Sequence, residues 1–190
     1  MMPQKSLRVV IVAPGPESEG GIRSVVQRIY PRLAQREDLE LTWLASQRAG
    51  SALVKLLFFF RAVLQGLYTI PRADVVHLHG SVHLSLLRKS VFIWLGSLFG
   101  CRLVYHFHSP QTVFEEFFAA RGLERRYALA TLRRCDAIAV LSDSWEHTVR
   151  KVLPQSKIVV IYNPVMEAQP VTVEPAAGSQ DVLYLAHLIR

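Results

Sequence analysis

With only two cysteines, Cys101 and Cys135, in 190 residues, the chain cannot be a disulfide-stapled fold. Each precedes an apolar run, so both are read as reduced thiols at or near the core. Long uninterrupted hydrophobic runs are also lacking. The two greasiest stretches are 52–70 and 84–99, broken by Lys55 and Arg61 in one and by Arg88 and Lys89 in the other. Neither reaches the roughly 18 uninterrupted apolar residues of a membrane span, so none is expected. No small-residue cleavage site follows the opening, and no signal peptide is expected. A tight GxGxxG after the first strand and a Walker A loop are both absent, which removes the ordinary NAD fingerprint and the P-loop. No two carboxylates are placed for glycosidase chemistry. Glu115 and Glu116 follow His108 but read as a solvated helix start. Basic residues are dispersed and no base-stacking motif occurs, so no nucleic acid partner is expected.

What is present is a foldable chain with an excess of positive charge. Hydrophobic residues make up 51% and charged residues 19%, too apolar for disorder and enough for a core without metals. A formal charge of +7 favours phosphorylated substrates or anionic lipid as partners. The two apolar, basic stretches predict helices that cover a sheet, and one of them is a candidate to rest on a membrane surface.

The run LRVVIVA (Leu7–Ala13) is continuously apolar, as a strand buried on both faces must be, and Pro14, Gly15 and Pro16 end it. A helix follows over Ile22–Ala34, with Ile22, Val25, Val26, Ile29 and Leu33 on its apolar face and Arg23, Gln27 and Arg28 pointing elsewhere. The pattern then repeats: strands at Leu39–Leu44, Asp74–His79, Leu103–Phe107, Ala137–Leu141 and Lys157–Ile161. Helices are expected at Ala52–Leu67, Leu84–Leu98, onward to Arg134 with a break near Gly122, and at Ser144–Leu153. Asp143 and Glu146 form a potential capping box for the last helix. Such alternation predicts an α/β, Rossmann-like parallel sheet covered by helices on both faces, with right-handed crossovers. Residues 1–165 are assigned to this domain. Residues 166–180, rich in Pro, Ala and Glu, read as a linker, and 181–190 as the first strand of a further domain.

Ligands of open α/β sheets sit beyond the carboxyl ends of the strands. The polar residues there are Gly20 and Gly21 after the first strand, His79 and Ser81 after the third, His108 and Ser109 after the fourth, Ser142 after the fifth and Asn163 after the sixth. Gly20 and Gly21 precede a helix N-terminus, which attracts anions, though a glycine pair also serves simply as a turn. His77 and His79 share one strand face, as do His106 and His108; neighbouring strands would gather four imidazoles. A zinc site was weighed and not assigned, because no carboxylate or cysteine completes it. His77 and His106 are instead expected to point into helix packing or a backbone bond, leaving His79 and His108 at the cleft. A histidine there, titrating near pH 7, can hydrogen-bond a sugar hydroxyl or a leaving diphosphate.

The ordered segments LRVVIVAPGPESEGGI, DVVHLHG, LVYHFHSP, AIAVLSDSW, KIVVIYNPV and VLYLAHLIR resemble the N-terminal half of bacterial family 4 glycosyltransferases, of the GT-B fold. The resemblance implies a retaining enzyme that moves a sugar from a nucleotide-sugar donor to a saccharide acceptor, often lipid-linked, in polysaccharide biosynthesis. It implies no cofactor and a cytoplasmic site, peripheral at the inner face of the membrane. On this resemblance His108 contacts the transferred sugar; Gly20 and Gly21 approach the donor diphosphate; His79, Ser109, Ser142 and Asn163 join the substrate site. Two features depart: Asn163 is followed by Pro164 rather than glycine, and Ala186–His187 stands where a glycine and an arginine are usual. The family's diphosphate-binding lysine and spaced glutamates lie beyond Arg190, in a C-terminal domain needed for donor binding, so the 190 residues alone are expected to be inactive. Two other readings stay open: a non-catalytic domain that docks on a membrane or subunit, and another Rossmann-like enzyme dependent on NAD or metal.

Overall fold

A computed structural model describes residues 6–164; the linker and the strand expected at 166–190 lie outside the described residues. Six parallel strands form one sheet in the order β2-β1-β3-β4-β5-β6. They are β1 Leu7–Pro14, β2 Leu39–Gln47, β3 Val75–Gly80, β4 Arg102–Phe107, β5 Ala137–Val140 and β6 Ile158–Val160. The helices are α1 Gly21–Ala34, α2 Ala52–Thr69, α3 Leu84–Leu98, α4 Gln111–Ala119, α5 Leu123–Leu132 and α6 Asp143–Val152. The break expected near Gly122 falls between α4 and α5, where Gly122 takes φ +150°, a value few side chains tolerate.

The strand order dictates where the helices go. The crossover from β1 to β2 runs one way across the sheet and every later crossover runs the other way. With a single right hand, α1 must then lie on one face and the remaining helices on the opposite face. The packing follows this rule. Ile11 and Ala13 meet Val26 of α1 in a small cluster. Val10, Val12, Leu78, Leu103 and Tyr105 meet side chains of α2 to α6, including Phe92, Phe114, Leu132 and Trp145, in the main core. Both faces carry helix, but unequally. That asymmetry is invisible in the βα alternation.

Two local expectations change. α6 is capped one residue earlier than the expected box: extended Ser142 is the N-cap, and its Oγ accepts from the Trp145 N–H at 3.4 Å. Asp143 is already helical, so its carboxylate cannot reach back; it accepts instead from the Tyr162 hydroxyl at 3.1 Å. Glu146 pairs with Arg150 rather than closing a capping box. Second, α2 runs on through a 3-10 turn at Ile70–Arg72, and the 21 residues from Ala52 to Arg72 are long and apolar enough to cross a membrane by length and composition. Lys55 and Arg61 do break the apolar run as expected, but they do not take the stretch below that length and composition. One side of this helix is nevertheless committed to the protein. Ala62 and Gly66 are buried, and a methyl at Gly66 would stand 3.0 Å from the Phe92 ring.

Candidate active site

The loop from Pro14 to Gly20 is pinned across the end of β2. Gly15 N–H and Ser18 Oγ both donate to the Gln47 carbonyl, at 2.9 Å each, and Arg23 Nε donates to the Ser18 carbonyl at 2.7 Å. This delivers the start of α1 to the carboxyl edge of the sheet. Gly20, at φ +115°, makes the turn, and nothing lies within 4 Å of where a side chain at Gly20 or Gly21 would begin. Helix α1 has no side-chain cap and no acidic residue in its first turn. Its leading N–H groups thus face open space with the positive end of the helix dipole behind them, an arrangement suited to an anion.

Opposite stands His108. Both Gly21 and His108 line one cleft of about 320 Å³, together with Ser24, Arg28, Leu141 and Asn163. Sequence reasoning placed Arg28 off the apolar face of this helix and did not count it among the site residues. The signal was there: positions 21, 24 and 28 fall on one stripe of a helix, three and four residues apart.

His108 reaches the cleft with a partner. Register pairs Ile11 with His77 and His79 with His106, so all of these side chains lie on the α1 face, and His108 follows one step beyond β4. Ring centroids are 4.3 Å apart for His77–His79 and for His106–His108, and 5.0 Å for His79–His106. His79 Nδ1 and His108 Nε2 share a hydrogen bond of 2.9 Å. When His79 donates, the His108 proton sits on Nδ1. The four imidazoles therefore do gather.

Several residue placements depart from expectation. His79 does not line the cleft; it is fully buried and holds His108 from behind. His77 and His106 join the histidine group rather than helix packing, because among the described residues their strand face is covered by α1 alone; His106 also has the expected kind of backbone bond, with Ile161. Ser109 is buried and its hydroxyl has no partner among the described residues. Ser142 is engaged in capping α6 and in a 3.0 Å bond with Ser144. Asn163 is exposed at the cleft rim. His108 does not titrate near 7: burial, reinforced by charge on His106, His77 and Lys89, pushes it down to about 3. It serves as a neutral hydrogen-bonding group, not as a cation or a titrating acid.

Lys89, which looked like an interruption in an apolar helix, is a buried strut. Its Nζ donates to Ser46 Oγ at 3.1 Å, and Ser46 Oγ in turn donates to the Ala13 carbonyl at 3.1 Å. Burial, with the Arg88 charge adding to it, pushes Lys89 down to about 7. Beside it Arg88 Nη2 donates to Gln47 Oε1 at 2.8 Å.

A doubly wound sheet with an anion-ready helix start facing a neutral histidine across its carboxyl edge defines a Rossmann-like domain with a polar cleft at its strand ends. The family model for Glycosyltransferase Family 4 matches residues 2–169, and the chain belongs to that family. Among curated proteins none matches. Two solved structures show distant likeness. One is a conserved protein from Enterococcus faecalis, with 9% identity, TM-score 0.39, and coverage of 82% of this chain and 92% of that one. Another is a deformylase from Pseudomonas putida, with 10% identity, TM-score 0.37, and coverage of 84% and 85%.

Proposed function

We propose that the chain is the acceptor-side half of a retaining, nucleotide-sugar-dependent glycosyltransferase that acts on a saccharide acceptor, lipid-linked at an anionic membrane, in polysaccharide synthesis. The observation that carries this reading is that Gly21 and His108 line the same cleft, with Arg28 and the free N–H groups of α1 beside them. The donor diphosphate would sit at that helix start and the sugar against His108 Nδ1–H. In the step itself the anomeric carbon–diphosphate bond breaks. The acceptor oxygen bonds to the same face of the sugar, and its proton passes to the leaving diphosphate oxygen. No enzyme nucleophile is needed; positioning and charge stabilisation supply the rate. Donor binding would be completed by a C-terminal domain, and the 190 residues alone are expected to turn over little.

The test uses a longer form of the protein that carries such a second domain. His108→Ala is expected to lower kcat by about 100-fold while donor affinity changes less than about threefold, the pattern of a contact made mainly in the transition state. Unchanged kcat would remove His108 from the reaction.

The membrane part rests on the outer side of α2, α3 and α5. Leu53, Leu57, Phe60, Leu64 and Leu67 recur at helical spacing on α2 and are exposed; Leu64 is 68% exposed. Leu87 and Leu98 continue the surface on α3, where Leu98 is 77% exposed, and Leu123 of α5 is 80% exposed. Exposed Lys55, Arg61 and Arg72 lie among them on α2. Apolar area edged with cations fits an anionic bilayer surface. A second cleft, of about 210 Å³, is lined by Gly15, Glu17, Arg48, Phe58 and Arg61; Glu17 pairs with Arg48 at 3.1 Å, which leaves Arg61 as the cation for an acceptor phosphate. Vesicles containing phosphatidylglycerol are expected to pellet the chain, and pure phosphatidylcholine vesicles far less. Leu57→Ser with Leu64→Ser should abolish pelleting without loss of helical signal. Equal recovery with both lipids, or none with either, would count against the membrane reading. The same surface also supports a second reading, a non-catalytic docking domain, which inactivity of every longer form would favour.

A further inference from the structure

We propose that His77, His79 and His106 form a binding site for one divalent transition-metal ion of the zinc type. The three residues each offer a ring nitrogen, and these atoms lie within 4.8 Å of one another. Their arrangement comes from the sheet: two histidines on alternate positions of β3 and a third directly across from His79 on β4. A set of three imidazoles with an open fourth position is a known zinc environment.

Two further observations point to a ligand. First, nitrogens that the fold would be expected to satisfy are left without partners among the described residues: His77 Nε2, His79 Nε2 and one ring nitrogen of His106, whose other nitrogen has the Ile161 backbone beside it. Buried polar atoms are rarely abandoned in this way, let alone clustered. Second, His79 shows the division of labour of a metal ligand. One nitrogen, Nδ1, is committed to His108, and the other is free toward the cluster. A hydrogen bond on the far nitrogen is what orients a ligating imidazole and fixes its tautomer.

The fit requires a modest contraction. Zinc–nitrogen bonds of about 2.0–2.1 Å in a tetrahedron bring the nitrogens to roughly 3.4 Å of each other. Rotation about the soft terminal torsions of three rings covers that difference. The fourth position falls to water.

The experiment uses the untagged chain, stripped with chelator, and Co²⁺ alone as probe. One equivalent is expected to develop the visible bands of a tetrahedral cobalt site, and Zn²⁺ to abolish them. Zn²⁺ should also raise the melting temperature of the stripped chain. His77→Asn and His106→Asn are each expected to remove both responses. His108→Asn, which alters only the orienting bond, should weaken binding by about 10–100-fold. Exposed His147 serves as control, and His147→Asn should change nothing. Far-UV circular dichroism checks each variant, and if His106→Asn does not fold, half-exposed His77 supplies the decisive substitution. Absence of cobalt bands, or binding that survives His77→Asn, overturns the proposal. None of this depends on glycosyl transfer, so it stands or falls separately.

Discussion

Acidification of the metal-stripped chain from pH 7 to pH 4 is expected to unfold it, in a transition that takes up about three to four protons. The cause is the histidine group. Burial, and then charge on neighbouring imidazoles, hold His77 and His108 near 3 and His79 well below the usual imidazole range, while burial alone brings His106 to about 4 against a backbone hydrogen bond with Ile161. Unfolded histidines titrate near ~6.5. These are groups whose folded values are depressed, so the unfolded state binds more protons below pH ~6.5. Their contribution is complete above that pH and is lost as pH falls through the window down to 3–4. Each extra proton tilts stability by about 1.4 kcal/mol per pH unit, so the full group could approach ~5 kcal/mol per unit near pH 5. His77, which keeps part of its surface in water, will contribute less. Set against a total stability of about 5–15 kcal/mol, this is enough to unfold the domain. Lys89 acts in the same sense at higher pH: its folded value is also depressed, so stability should still rise between pH 7 and 10. Urea titrations at intervals from pH 7 to 4.5 measure the slope. A flat profile in wild type, or one that His79→Asn and His106→Asn leave as steep, would defeat this account.

Replacing Gly80 by alanine should cost about 3–5 kcal/mol, the sum of an overpacking penalty and a lost buried hydrogen bond. A methyl at Gly80 would overlap the Tyr105 hydroxyl and stand 2.9 Å from Tyr105 Cζ. The ring has nowhere to go. It is fully buried, edge-on to Phe107 at 4.8 Å, and its hydroxyl donates to the Ser81 carbonyl at 2.6 Å. The position is also mechanically tied to the site, because Gly80 follows His79 and its carbonyl accepts from the His108 N–H at 2.8 Å. Pairing Gly80→Ala with Tyr105→Phe separates the two costs. Loss of the hydroxyl relieves the worst overlap, so the double variant should be less destabilised than the two single changes added together. Strict additivity in urea unfolding would show that the clash is not the mechanism.

Much of the domain could be read from residue pattern. Runs such as VVIVA and AIAV are apolar at every position, which only doubly covered strands require, and the stops at Pro14–Pro16 and Gly122 have direct backbone reasons. The positions ending those strands led to Gly21, His108 and Asn163, which share the cleft. Other features were illegible for identifiable reasons. Arg28 was assigned by contrast with the apolar stripe of α1, and that contrast cannot say whether a polar face meets solvent or a cleft. Lys89 read as an interruption because a lone cation in an apolar helix looks alike whether it is solvated or bonded to Ser46. The low titration of His108 depends first on its burial and then on two other imidazoles, His106 and His77, and a lysine drawn from separate segments.

Local chemistry along the chain determined the number, type and order of the strands and helices, because period, punctuation and apolarity act over a few residues at a time. It also placed a glycine turn and two histidine pairs at strand ends. Only the folded sheet decided that β3 and β4 are neighbours, that α1 stands alone on its face, and that His79 supports His108 instead of reaching the cleft. Those facts arise from strand order and crossover hand, which join residues far apart in the chain and leave no periodic trace within any one segment.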